Sequence, residues 1–352
     1  MSTALTESGP APSQPREHEV DLLIVGAGPV GLYGAYYAGV RGLTVALVDS
    51  LELPGGQITA MYPEKPIFDV AGFPAVRGRD LVANLVEQAA QYDPLYLLGQ
   101  QAQLLERRAT ADGSREAVVV TTSTGTRVVC GALVITGGIG SFTPRPLPAG
   151  ATFAGTGLAY FVPRVADYAG SDVVIVGGGD SACDWALTLE PVARSVTLVH
   201  RREAFRAHAA TVDAVRRSRV ELITNAQVSA VTGDGPLHAV EVSGKGVPEP
   251  RSLPCQRLVV ALGFLADIGP LREWGLDVRD NRHIVVDTRM STGVPGVYAA
   301  GDITDYAGKV RLISVGFGEV ATAVNNAAHH LDPSASVFPG HSSDAAPAPT
   351  AV

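Results

Sequence analysis

The hydrophobic positions of this chain fall into short continuous runs broken by glycine. Leu22 to Val25 is apolar, Gly26-Ala-Gly28-Pro29-Val-Gly31 interrupts it, Leu32 to Val40 continues at helical spacing to Gly42, and Thr44 to Val48 is apolar again. Runs of this length bounded by turn residues predict buried parallel strands, so the order is strand, turn, helix, strand. The same order returns at Val173 to Val176, Gly177-Gly178-Gly179, a helix carrying Trp185, Leu187 and Leu189, and a strand at Val196 to Val199. Between the two units the pattern predicts an amphipathic helix over Arg79 to Gln91 and a hairpin of Ala117 to Thr121 with Thr126 to Cys130 around Thr124-Gly125. A buried strand follows from Leu133 to the glycines at 137 and 138, and the proline-rich run 144–148 marks a crossover. The turn-rich stretch 54–66 reads as a loop. After Leu258 to Gly263 there is no third glycine unit, so Val297 to Asp302 and a helix from Gly316 through Ala328 must complete a sheet already begun.

Each glycine turn lets backbone approach a pyrophosphate, and the helix behind it presents free N–H groups and a positive dipole end. What distinguishes the two units is the residue at the end of the second strand, where an acid about 20 positions after the first glycine accepts from a ribose 2′-hydroxyl. In the first unit that residue is Asp49, as an FAD or NAD site requires. In the second the place reads His200-Arg201-Arg202, with Arg206 one turn on. Guanidinium forks in place of an acid suit a 2′-phosphate, so the second unit reads as an NADPH site.

Composition changes little in this picture. The chain has 352 residues, long enough for two domains, with 18% charged residues and 39 glycines. A net charge of −8 argues against nucleic acid as a general partner and favours a cytoplasmic protein. The segment 22–40 has no charge, but its five glycines and Pro29 argue against a membrane span, and the polar start of the chain lacks the order of a signal peptide. Cys130, Cys183 and Cys255 are far apart and have no metal or dithiol spacing; they read as buried thiols. His329 and His330 adjoin on a predicted helix and point apart, so no metal site is expected.

GAGPVGL at 26–32, GGQITAMYPEKPIFDVAGFP at 55–74, GGGDSACDWAL at 177–187, HRREAFRAH at 200–208, AAGDITDYAGKVRLISVGFGEVATAVNNA at 299–327 and VFPGHSS at 337–343 together resemble the thioredoxin-reductase-like type of ferredoxin (flavodoxin)-NADP+ reductase. The resemblance covers nearly all of residues 20–343. It implies an α/β fold of two Rossmann-like, three-layer dinucleotide-binding domains and a homodimer. The FAD domain would comprise 19–138 and 265–343, the NADPH domain would be inserted at 139–264, and 1–18 and 344–352 would be tails. For FAD it implies contacts from Gly26, Gly28, Pro29, Gly31, Asp49, Gln57, Tyr62, Ala102, Phe142, Asp302 and Ser343, with Tyr62 stacked on one flavin face and His341 covering the other. For NADPH it implies Gly177, Gly178, Gly179, Asp180, Ser181, His200, Arg201, Arg202 and Arg206. The chain departs from the pattern at Ala209, where the family often has glutamate, and at Asp49, where it often has glutamate for the ribose acid.

Four readings compete on this scaffold. A thioredoxin reductase needs a cysteine pair near its second glycine turn, but the chain reads Leu158-Ala-Tyr-Phe-Val-Pro163 before that turn and Cys183 stands alone after it. A cysteine-free flavoprotein with another acceptor and a non-enzymatic, NADPH-responsive flavoprotein are the alternatives to NADPH oxidation by a ferredoxin or flavodoxin reductase. In the expected reaction hydride passes to flavin N5 and single electrons leave to the acceptor protein. Such acceptors are usually acidic, so Lys65, Arg77, Arg79, Lys309 and Arg311 are candidate docking cations.

Overall fold

The structure, a computed structural model, describes residues 16–110, 113 and 116–341. The chain separates into two compact units, one of 1–54, 85–138 and 268–352, the other of 55–84 and 139–267.

The first unit opens with strand β1 (Glu17–Val25), helix α1 (Pro29–Val40) and β2 (Val45–Val48). β1 begins earlier than its apolar run, inside the expected tail. Its first half alternates exposed and half-buried positions, and Glu17 pairs in register with Arg127. The stretch 54–66 is not wholly a loop: Gly55 and Gly56 take positive φ and start the single-turn helix α2 (Gln57–Met61). α3 (Gly78–Ala90) lies where the amphipathic pattern put it. β3 (Leu95–Leu97), β4 (Ala102–Ala109), β5 (Glu116–Thr122) and β6 (Arg127–Ile135) follow. The second hairpin strand and the buried strand expected after it are one: β6 runs unbroken through Gly131, where an added Cβ would meet Leu331 at 2.3 Å.

Residues 55–84, expected with the FAD domain, pack with the second unit, because Tyr62 lies against the core of Val173, Ala182, Trp185 and Val212 and Lys65 pairs with Asp184. This unit continues with β7 (Ser141–Pro144), β8 (Leu158–Ala159), β9 (Asp172–Gly177), α4 (Asp180–Leu189), β10 (Ser195–Val199), α5 (Ala209–Arg217) and β11 (Glu221–Ile223). An antiparallel meander, β12 (Gln227–Gly233), β13 (Leu237–Gly244) and β14 (Val247–Pro254), leads to β15 (Arg257–Ala261) and β16 (Phe264–Asp267). The parallel sheet runs β8-β15-β9-β10-β11. Its interior strands are almost wholly buried, as continuous apolar runs require. β7 and β16 pair antiparallel, so the inserted stretch 139–267 begins and ends on one two-stranded ribbon.

The return to the first unit supplies β17 (Val297–Ala299) and α6 (Ile313–Leu331). The sheet runs β3-β2-β1-β6-β5-β4, with β17 parallel to the end of β6. α6 starts one turn before the expected Gly316. That glycine serves packing and not helix initiation: a Cβ there would stand 2.5 Å from Val30 Cγ2.

Candidate functional site

In the first unit the turn after β1 is drawn tight by main chain. Gly26 has φ +116, and a Cβ on it would meet the Thr136 carbonyl oxygen at 2.6 Å; one on Gly31 would stand 1.8 Å from Gly26 O. Only glycine fits either position. Thr136 Oγ1 donates to Gly26 O at 2.7 Å from the end of β6, a support the sequence reading did not include. Gly28 caps α1 with extended backbone and Pro29 is its first residue; no side chain caps the helix, so its first N–H groups are left for a ligand. Asp49 leaves β2 toward this turn. Its Oδ2 accepts from Ala27 N at 2.7 Å and its Oδ1 from Leu51 N at 2.9 Å. Burial pushes the carboxyl up, and those two N–H groups pull it back.

From the other end of the chain, β17 delivers Gly301 (φ +83) and Asp302 to the same turn, with a Cβ on Gly301 falling 3.2 Å from Val30 Cγ2. Burial raises the Asp302 carboxyl, while Lys309 and Arg311 oppose that shift. Gly26, Gly28, Pro29, Gly31, Asp49 and Asp302 are thus assembled from three separated segments. Ala102 is buried at the start of β4, two residues past Gln100, whose N–H donates to Asp49 O at 2.9 Å. Two closed-up glycines, an uncapped helix and a half-buried acid at the strand end fit an adenine dinucleotide with a free 2′-hydroxyl.

The second unit repeats the device with a different reader. β9 ends in Gly177, whose Cβ would clash with Ala261 O at 2.5 Å, and Gly179 caps α4 with no side-chain cap. Beside Gly179 an added Cβ would meet nothing within 4 Å, which leaves room for a phosphate. The loop 200–208 is clipped down at both flanks: Arg206 N donates to Gly178 O at 2.8 Å, and His208 N donates to Asp180 Oδ1 at 2.9 Å in the first turn of α4. Asp180, expected at the ligand, is engaged in shaping this loop; Ser181 beside it is exposed. The His200 imidazole lies against Gly178, whose Cβ would stand 2.1 Å from His200 Cε1, and against Phe205 at 4.9 Å between ring centroids. Burial, followed by the charges of Arg201, Arg202 and Arg206, holds the imidazole below its usual range.

Arg201, Arg202 and Arg206 are exposed, and among the described residues none has a carboxylate within ion-pair distance. Arg194, Arg219 and Arg251 of the same unit are all paired, with Asp172, Glu190 and Glu221. Three unneutralised guanidiniums beside a phosphate turn fit a 2′-phosphate.

Gln57 starts α2 and Tyr62 ends it, both half-buried in the second unit. Phe142 lies on β7, edge-on to Phe264 at 6.0 Å; Phe264 stacks on Phe161 at 5.3 Å. The extension after α6 is fastened by Arg41, which donates to Ser336 O at 2.9 Å and Asn325 Oδ1 at 3.1 Å. His341 is exposed and meets the Phe338 ring edge-on at 5.3 Å; Ser343 lies outside the described residues. Of the candidate docking cations only Arg311 is exposed and without an ion pair among the described residues. Lys65 pairs with Asp184, Arg77 and Arg79 reach Glu64, and Lys309 is buried against Glu319. The three cysteines are free and buried, and burial pushes their thiols up to about 12, 11 and 12 for Cys130, Cys183 and Cys255. Among the described residues no cluster suits a metal, and no helix is long and apolar enough to cross a membrane.

The profile of the pyridine nucleotide-disulphide oxidoreductase family matches residues 20–327. The ferredoxin-NADP reductase of Salinispora tropica is 62% identical over 327 residues, which is 93% of this chain and 99% of that protein. This chain belongs to the ferredoxin-NADP reductase family. The Thermus thermophilus member is 46% identical over 93% of this chain and 97% of its own length. Among solved structures, the thioredoxin reductase of T. acidophilum superposes with a TM-score of 0.72 at 25% identity, covering 88% of this chain and 98% of that one. The family's plan of two parallel-sheet units is therefore shared with a disulfide reductase, while the second unit here carries no cysteine pair at its glycine turn.

Proposed function

We propose that the chain is an FAD-dependent oxidoreductase that carries electrons between NADPH and ferredoxin, with flavodoxin as a second acceptor of the same kind. The observation that carries this reading is the pair of opposite ribose readers on two like turns: an acid, Asp49, with both oxygens accepting backbone N–H groups, and the unpaired Arg201, Arg202 and Arg206. FAD, when bound, takes hydride from NADPH and gives up electrons singly, which suits a one-electron acceptor. The protein's part is binding and orientation. Gly26, Gly28, Pro29, Gly31, Asp49, Ala102 and Asp302 hold the FAD, with Gln57, Phe142 and Ser343 as further contacts and Tyr62 and His341 on its two faces. Gly177, Gly178, Gly179, Ser181, His200 and the three arginines hold NADPH, with Asp180 keeping the arginine loop in place. High thiol pKa values and burial support a reaction without disulfide exchange. The same reduced, buried cysteines support a cytoplasmic location, and the family resemblance supports a homodimer.

The test is anaerobic rapid mixing of the FAD-loaded protein with NADPH and then with oxidised ferredoxin. Flavin bleaching followed by ferredoxin reduction is expected; bleaching without electron transfer to any ferredoxin or flavodoxin refutes the acceptor assignment.

A further inference from the structure

Lys309 and Glu319 form a buried ion pair that the glycine turns do not account for. Their side chains are 3% and 5% exposed, with Nζ 2.5 Å from Glu319 Oε1. Burying two charges costs desolvation that mutual attraction does not reliably recover, so such a pair is weak evidence for stability and calls for another role. Its contacts indicate one. Glu319 Oε2 accepts from Gly301 N at 2.7 Å, while Lys309 Nζ donates to Gly301 O at 3.0 Å, so the pair grips the Gly301 main chain at both its polar groups. Thr304 Oγ1 adds a third bond, to Gly301 O at 2.8 Å, and Tyr306 Oη donates to Glu319 Oε1 at 2.6 Å. Gly301 precedes Asp302, and Glu319 sits in the second turn of α6, whose Gly316 packs with Gly301 against Val30 of α1. One network therefore ties together three parts of the first dinucleotide cradle: the main chain just before Asp302, the N-terminal turns of α6 and, through Gly316 and Gly301, Val30 at the start of α1.

We infer that Lys309 and Glu319 are positioning residues for FAD, holding Asp302 and the N-terminal turns of α6 in the geometry that binds it. The inference rests on the FAD reading above. Its test removes both charges together, as Lys309→Met with Glu319→Gln, because either change alone leaves a buried charge without its partner. If the pair only supports the fold, the neutral double variant melts at a lower temperature but binds FAD with parent affinity and parent dichroism. If it positions the cofactor, the apoprotein melts near the parent temperature but binds FAD at least tenfold more weakly, and the visible circular dichroism of the bound flavin changes. A double variant with parent affinity and parent dichroism overturns the inference. Should that variant not fold, Tyr306→Phe removes one donor to Glu319 without stranding a charge. A threefold or greater loss of FAD affinity is then expected, and parent affinity overturns the inference. A parent apoprotein that takes up no FAD refutes the cofactor reading itself, and this role with it; equal binding by parent and variant refutes only the role.

Discussion

Replacing Arg201 and Arg202 together by alanine removes two guanidiniums that make no ion pair among the described residues. Nothing in the fold depends on them, so the change in stability should stay within about 0.5 kcal/mol, the usual range for surface substitutions. Their contribution to a 2′-phosphate can be sized. A charge-assisted hydrogen bond contributes about 1.5–3 kcal/mol, and exposure at this loop cuts that by roughly half through solvent and salt screening. Two such contacts then amount to about 1.5–3 kcal/mol, or roughly a 10- to 150-fold loss in kcat/KM for NADPH. NADH lacks the phosphate and should change little. The assay is steady-state reduction of a dye acceptor with each coenzyme in turn, at fixed ionic strength. Preference should also fall below about pH 6 in the parent, where the phosphate takes up its second proton and loses half its charge. A double variant that keeps the parent's NADPH-to-NADH ratio refutes the assignment of the arginines, and of the second turn as an NADPH site.

Two glycine substitutions separate the two turns. Gly31→Ala places a Cβ 1.8 Å from Gly26 O, a main-chain clash, and the purified protein should come out without FAD; a yellow variant of parent absorbance counts against the first cradle. Gly178→Ala drives the His200 ring from its place, so the NADPH dissociation constant should rise roughly tenfold or more while FAD content is kept; unchanged NADPH affinity in equilibrium titration rejects that geometry. The buried thiols make a third case. With pKa values of about 12, 11 and 12, Cys130, Cys183 and Cys255 should resist iodoacetamide at pH 8 before and after reduction by NADPH, and turnover should survive; inactivation only after NADPH treatment would restore a disulfide mechanism.

The parts of this molecule that could be seen in the sequence are those set by local rules. Continuous apolar runs, glycine spacing and the charge at the end of β2 and β10 need no knowledge of distant residues, and the elements around both turns lie within a few residues of where they were expected. What escaped depends on partners far along the chain. β1 extends back to Glu17 only because β6 continues to pair with it, and Lys309 looks like a surface cation until α6 brings Glu319 to it. The helical period held one usable clue. Glu319 shares its stripe with Val320, Ala323, Val324 and Ala327, all buried, and a lone acid on an apolar stripe calls for a buried partner. The family resemblance puts residues 55–84 with the FAD domain, whereas Tyr62 and Lys65 pack with the second unit.

One strand has a consequence for how the chain is made. β6 has β1 along one whole edge, and its other edge is shared: β5 takes the first half, and β17 takes Leu133, Val134 and Ile135. On a ribosome that second half stands open, apolar and unpaired, until residues about 160 positions later emerge. At roughly 5–20 residues per second this is a wait on the order of 10–30 s. The inserted unit is synthesised in that interval, so an exposed strand edge of the kind that recruits other chains is present throughout it. Chains stopped before Val297 are expected to pellet or stay bound to chaperones, and a soluble monomer of that length would show that the open edge is harmless. The first unit is thus begun before the second and finished after it, and the folding of each newly made molecule hangs on three residues waiting for a partner.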